Sequence, residues 1–73
     1  MNMFPSQRKV EFLRNTYPVG TRVRLISMND ARAVDPGTKG TVRHVDDAGT
    51  VHVDWDNGRR LGLIPDEDSW EII

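Results

Sequence analysis

Three groups of polar side chains have the types and spacing to do chemistry. His44, His52 and Asp54 are ligand-type residues lying close together in the chain. Zinc, however, usually takes four ligands in a fixed tetrahedral geometry. Asp46 and Asp47 follow His44 closely enough to serve as an acid–base pair. The run Asp66-Glu67-Asp68 could hold a cation or mimic a phosphate. Each group also has a plainer reading. A hairpin turn favours aspartates, because their side chains bond the backbone two residues on. The acidic run after Pro65 suits a solvated turn, with Asp66 capping a short 3₁₀ segment. The histidines read as one core or edge residue and one solvated residue. No serine, histidine and acid are spaced for nucleophilic catalysis. The expectation is therefore no enzyme: no catalytic residue, no metal and no cofactor.

The cations offer a different chemistry. Residues 1–45 hold eight basic side chains against three acidic ones, and residues 46–73 hold two basic against eight acidic. Arg22 and Arg24 alternate along one run and could track a phosphate backbone. They could equally pair with acidic residues of the last strands, Glu71 being the obvious partner. A net charge of −1 argues against a general nucleic-acid binder. Nucleic-acid sites on small barrels also need exposed aromatics for stacking. Trp55 and Trp70 both fall on expected inward positions. Met3, Phe4 and Phe12 are the better candidates for exposure, and an exposed apolar patch marks a protein contact. The candidate partner-binding residues are thus Phe4, Arg8, Lys9, Phe12, Arg14, Arg22, Arg24, Arg32 and Lys39.

The elements that must position these residues can be read from spacing. Ser6 is a good N-cap, and Val10, Leu13 and Tyr17 form one apolar stripe at helical spacing. Tyr17-Pro18 ends that helix, since proline disfavours the α conformation in the residue before it. A first strand follows over about Thr21–Met28, with Val23 and Leu25 facing one way. Residues Asn29–Lys39 have no period and carry the turn signal Asp35-Pro36-Gly37. Further strands run over about Thr41–Val45, Thr50–Trp55 and Arg59–Ile64. Pro65–Ser69 suits a single 3₁₀ turn. Trp70 and Ile72 alternate around Glu71 in a short last strand.

Register follows from patterning. A two-residue Asn57-Gly58 turn would put the apolar sets of the third and fourth strands on opposite faces. A three-residue loop, Asp56-Asn57-Gly58, with Gly58 left-handed as a bulge, pairs Val53 with Leu61, Val51 with Leu63 and Asp54 with Arg60. One slip would invert every side chain, so the second register is expected, with a positive φ at Gly58. In the second strand, a straight run that buries Val42 also turns His44 inward. A bulge would let Val42 and Val45 both point in.

Five short antiparallel strands after a short N-terminal helix imply a mainly β chain, a five-stranded SH3-like barrel. Residues 1–17 form the helical lead and residues 18–73 the barrel. The helix is expected to pack across a barrel end or an open edge. An OB-like barrel is the second fold, although it usually needs a longer chain. Several segments carry a family resemblance: Tyr17-Pro-Val-Gly-Thr-Arg-Val-Arg-Leu-Ile-Ser-Met-Asn-Asp30, Pro36-Gly-Thr-Lys-Gly-Thr-Val42, Val45-Asp-Asp-Ala-Gly-Thr-Val-His-Val-Asp-Trp-Asp-Asn-Gly58, Leu61 and Asp68-Ser-Trp70. From Tyr17 onward the chain resembles a small domain-of-unknown-function family of bacterial phages and mobile elements. More distantly, through Val-Asp-Trp-Asp-Asn-Gly alone, it resembles the SH3-like domain of Mind-bomb and HERC ubiquitin ligases. The family's long loop is proline-rich, whereas this chain has Ala31-Arg-Ala-Val-Asp35 there.

Length sets the remaining bounds. A chain of 73 residues makes one domain and buries only about 60% of its unfolded surface. It has no cysteine, which excludes disulfides and thiolate metal sites. No apolar run approaches the roughly 18 residues of a membrane span. The expectation is a cytoplasmic, non-catalytic protein-binding module, monomeric or weakly dimeric. The resemblance implies an accessory or inhibitory factor acting on a host protein, such as a defence nuclease of the CRISPR-effector kind. A barrel that binds nucleic acid through its basic N-terminal half is the alternative.

Overall fold

A computed structural model describes residues 6–73. Helix α1 spans Gln7–Thr16, and five strands follow: β1 Arg22–Ser27, β2 Lys39–Val45, β3 Val51–Trp55, β4 Arg60–Leu63 and β5 Ser69–Ile72. All pairings are antiparallel, in one sheet of order β4-β3-β2-β1-β5. This is a mainly β fold with one short helix, consistent with the expected barrel. Closure is incomplete, because β4 and β5 end the sheet and do not pair with each other.

Local chemistry accounts for the helix. The Ser6 hydroxyl accepts the Lys9 N–H at 3.2 Å, satisfying one of the donors a helix start leaves orphaned. At the other end the Tyr17 N–H still reaches the Leu13 carbonyl, and Pro18 stops propagation. Val10 and Leu13 are buried in the same apolar cluster as the strands. The Arg14 Nε donates to the Val45 carbonyl at 3.1 Å, which fixes the helix over the β2 end of the sheet.

The β3–β4 hairpin has the expected register. Val51 opposes Leu63, Val53 opposes Leu61 and Asp54 opposes Arg60. Gly58 has φ +90°, and its N–H bonds the Trp55 carbonyl, closing the three-residue loop. The bulge in β2 is also present. Pairing shifts between Val42 and His44, so Val42 and Val45 are both buried and His44 turns outward.

Three expectations need correcting. Pro65–Ser69 holds no 3₁₀ turn. Asp66 has φ +78°, whereas a 3₁₀ segment needs negative φ throughout. With Pro65 second and Asp66 third, the chain makes a tight turn of the type II kind, closed by Glu67 N–H to Ile64 carbonyl. Asp66 does not cap it; Asp68 does, accepting the Ile64 N–H at 2.8 Å and the Asn29 N–H at 2.9 Å. Trp70 is the second correction. It faces the core side opposite Leu25, yet it is only half-buried because β5 is an edge strand. Trp55, in a central strand, is 3% exposed, and its indole N–H reaches the Leu61 carbonyl. The third concerns the β1–β2 loop. Val34, from a stretch without any period, is 3% exposed and joins the core.

Candidate functional site

Of the described partner-binding candidates, several are held in ion pairs, and Arg24 stands opposite Lys39 on the neighbouring strand. Arg22 grips Asp56 through two parallel bonds of 2.8 and 2.7 Å and also donates to the Thr41 hydroxyl. That hydrogen bond from Arg22 is the main reason the Asp56 carboxyl lies below its ordinary pKa, and the pairing raises the guanidinium in turn. Arg24 bonds Glu71 at 2.7 Å across the strand pair, one of the two readings open from sequence. Arg14 reaches Asp47 at 2.9 Å and Lys9 reaches Asp66 at 3.2 Å. Arg43 and Arg60 lie 3.5 and 3.2 Å from the same Asp54 oxygen. Arg32 stands largely in solvent, 4.0 Å from Asp30. Arg8 and Lys39 are exposed, and Phe12 is 66% exposed on the outer side of the helix. Phe4 and Met3 lie outside the described residues.

Bulging of β2 does bring two histidines together. The His44 and His52 rings stack at 4.4 Å with planes 16° apart, and His52 Nε2 lies 2.7 Å from Asp46 Oδ2. The other Asp46 oxygen accepts the N–H groups of Ala48 and Thr50, which shapes the β2–β3 turn. Among the described residues, no three such side chains are arranged to hold a metal ion. The cluster has a structural job. Burial pushes the Asp46 carboxyl up, but the bonds from His52, Thr50 and Ala48 outweigh it and hold the group below its ordinary value.

The sign of the resulting pH dependence follows. A lowered folded pKa stabilises the fold fully above the unfolded value of about 3.9, and that contribution fades as pH falls through the folded pKa. Asp46→Ala should therefore lower Tm at neutral pH, by the equivalent of about 1 kcal/mol for the lost turn bonds. The gap from the unmodified chain should narrow between about pH 5 and pH 2. Thermal unfolding of both proteins across that range checks it; a constant gap would rule the linkage out.

The feature sequence reasoning missed is an open groove of about 410 Å³. Tyr17, Ile26, Pro65 and Trp70 supply its apolar lining, and Asp66 and Asp68 its acidic rim. Each arrives there for a local reason. Tyr17 is the C-cap of α1, and Trp70 is the core-side residue of an edge strand. The two rings meet at 5.5 Å, tilted by 54°, within the favourable range for aromatic pairs. Ile26 sits at the irregularity between Leu25 and Ser27, where β1 gains a residue on β5, and is 51% exposed. Pro65 enters through the left-handed turn at Asp66. The Trp70 indole nitrogen is enclosed and has no hydrogen-bond partner among the described residues. Tyr17 also borders a second hollow, toward Val19, His44 and Val45, so it forms a ridge between the two. A sequence signal was present in Tyr17, Ile26 and Pro65. It became legible only once β5 was known to be an edge.

A family described as "Domain of unknown function (DUF4314)" matches residues 6–73, so the match takes in the helix as well as the strands. No curated protein and no solved structure matches the chain.

Proposed function

We propose a protein-binding role for this chain, which belongs to the DUF4314 family. The reading is a non-catalytic module that docks a partner through the Tyr17–Trp70 groove. The observation that carries it is that groove, an aromatic pair left half-open beside exposed Ile26 and half-buried Pro65. Aromatic side chains supply large contact area at low entropic cost, which is why they anchor protein interfaces. The surface charge supports the same reading. Arg14, Arg22 and Arg24 are already bonded to carboxylates, so the basic N-terminal half does not present a run of free cations. In the phage or mobile-element setting that the resemblance implies, the partner we propose is a host protein, a defence nuclease being one such target.

The test compares the chain with a Tyr17→Ser, Trp70→Ser double variant. Capture from host lysate should recover a defined partner with the unmodified chain and lose it with the double variant. Circular dichroism establishes that the variant is still folded. The nucleic-acid alternative makes an opposite prediction. Binding of DNA or RNA at low salt that falls steeply as salt rises, and that survives the groove substitutions, would overturn the protein-binding reading.

A further inference from the structure

The groove opens onto an unused sheet edge. Among the described residues, β5 pairs with β1 alone and no strand lies on its other side. Ile73 N–H bonds the Arg22 carbonyl, and Glu71 stands opposite Arg24. Antiparallel backbones alternate between facing the partner strand and facing away. The N–H and C=O groups of Trp70 and Ile72 therefore point away from β1. Exposed edges of this kind are templates for another strand, and proteins usually guard them with lysine, proline or a covering segment. Among the described residues β5 has no such guard: its sequence is Ser-Trp-Glu-Ile, its one charge is bonded to Arg24, and Ile72 is 53% exposed.

Charge selects the occupant. Asp66, Glu67 and Asp68 precede β5 directly, and Glu71 lies within it. The cation held by this rim is the chain's own Lys9, bonded to the well-exposed Asp66. We propose that the free edge of β5 receives an extended, arginine-bearing segment of the partner protein as an added strand, an arginine of which replaces Lys9 on Asp66. The proposal rests on the protein-binding reading above and specifies its partner. A guanidinium grips a carboxylate through two parallel bonds, which an ammonium cannot do, so the exchange favours the incoming arginine. Alternate residues of the added strand would lie on the side of Trp70 and the groove, the usual division of labour when a peptide extends a sheet. The β4 edge of a second copy is a weaker occupant. Its Arg60 lies beside Asp54, and Arg59 donates to the carbonyls of Ala33 and Arg32.

The experiment uses the full chain, isotope-labelled, with three synthetic peptides of equal length that alternate valine with arginine, glutamate or serine. Amide exchange at Trp70 and Ile72 is read alongside a map of shifted resonances. The arginine peptide should slow exchange at both amides and shift the Tyr17 and Trp70 rings, and the glutamate peptide should do neither. Lys9→Ala should tighten the arginine peptide by roughly two- to fivefold, the worth of one exposed ion pair. Asp66→Asn should weaken it, and Asp35→Asn, in the β1–β2 loop, should leave it unchanged. Ile72→Pro removes one outward N–H while keeping the β1 pairing, so it should abolish the slowed exchange.

Ring shifts without slowed exchange would overturn strand addition and leave the groove reading standing. Equal response to all three peptides would overturn the choice of a basic partner. Slowed exchange that depends on protein concentration, with no peptide added, would assign the edge to a second copy instead. No response at Tyr17 or Trp70 to any peptide would count against the groove reading itself.

Discussion

Replacing Gly40 by alanine is expected to remove most of the stability of this domain. Gly40 is buried where β2 pairs with β1 on one side and β3 on the other. A Cβ there would stand 2.5 Å from Val53 Cγ1, 2.8 Å from the Trp55 ring and 3.0 Å from the Asp54 carbonyl oxygen. None of the three can yield cheaply. Val53 is 1% exposed between Val42 and Leu61, and Trp55 is held by its indole bond to the Leu61 carbonyl. The carbonyl is backbone. Overpacking of a tight core costs about 1–3 kcal/mol and occasionally more, and with all three neighbours within 3.0 Å Gly40 belongs at the upper end. A single core of this size supplies roughly 3–5 kcal/mol in all. Chemical denaturation should therefore show a chain at or near its unfolding midpoint in water, and Tm should drop by roughly 12–25 °C. Gly62→Ala is the control. Its Cβ would meet Thr50 Cγ2, a methyl that one side-chain rotation moves, and its other neighbours are 3.8 Å away or more. That variant should lose no more than about 1 kcal/mol. Equal losses at the two positions would show that the close approach at Gly40 is not what matters.

The contrast between these glycines marks what could be read from the chain. The β3–β4 register was legible because Val51, Val53, Leu61 and Leu63 can share a face in only one alignment, and Asp56-Asn57-Gly58 permits it. For β2 the pattern left two readings open, a straight strand that turns His44 inward or a bulge that lets Val42 and Val45 both point in, and the folded chain takes the bulge. The Arg24–Glu71 pair was one of two readings that the alternation of both strands allowed, beside a row of arginines tracking a phosphate backbone. The partner of Arg22 was not found. Asp56 lies thirty-four positions away in a turn, and only the curl of the sheet brings it near. The groove stayed hidden for a related reason. Trp70 has the pattern of a core residue, and its pattern is obeyed; what leaves it half-open is the missing pairing between β4 and β5. Strand order is a property of the closed chain, and periodicity says nothing about it. Of the described side chains that the charge pattern and helical lead suggested, Lys9 is the one bonded to the groove rim, at Asp66.

Val34→Asp is expected to unfold the protein at neutral pH and to regain part of its stability in acid, opposite in sign to the Asp46 effect. Val34 projects from the β1–β2 loop into the core, 3% exposed. The loop cannot easily lift away. Leu25 and Gly37 tie its far end to β1, Asp30 accepts the Arg32 N–H, and the Arg59 guanidinium holds the Ala33 carbonyl at 3.1 Å. A carboxylate at position 34 would be enclosed in the apolar cluster that Val34 shares with the strands, whose side chains cannot pair with it. An unpaired buried charge costs several kcal/mol, comparable with the whole stability of a domain this small. Burial would raise the folded pKa of the new carboxyl above its unfolded value of about 3.9. The penalty is thus full above the raised pKa and is relieved as pH falls through it. Between about pH 7 and pH 4 the variant should gain stability relative to the unmodified chain. Val34→Ala separates packing from charge: it should cost about 1–2.5 kcal/mol with no such pH dependence. Ala31→Asp, three residues earlier and exposed, should stay within about 0.5 kcal/mol of the unmodified chain. If Val34→Asp were instead as stable as Ala31→Asp, the loop would have to swing clear of the core at little cost. Asn29–Lys39 would then be free to recognise a partner, and the β5 groove would lose its standing as the principal docking surface.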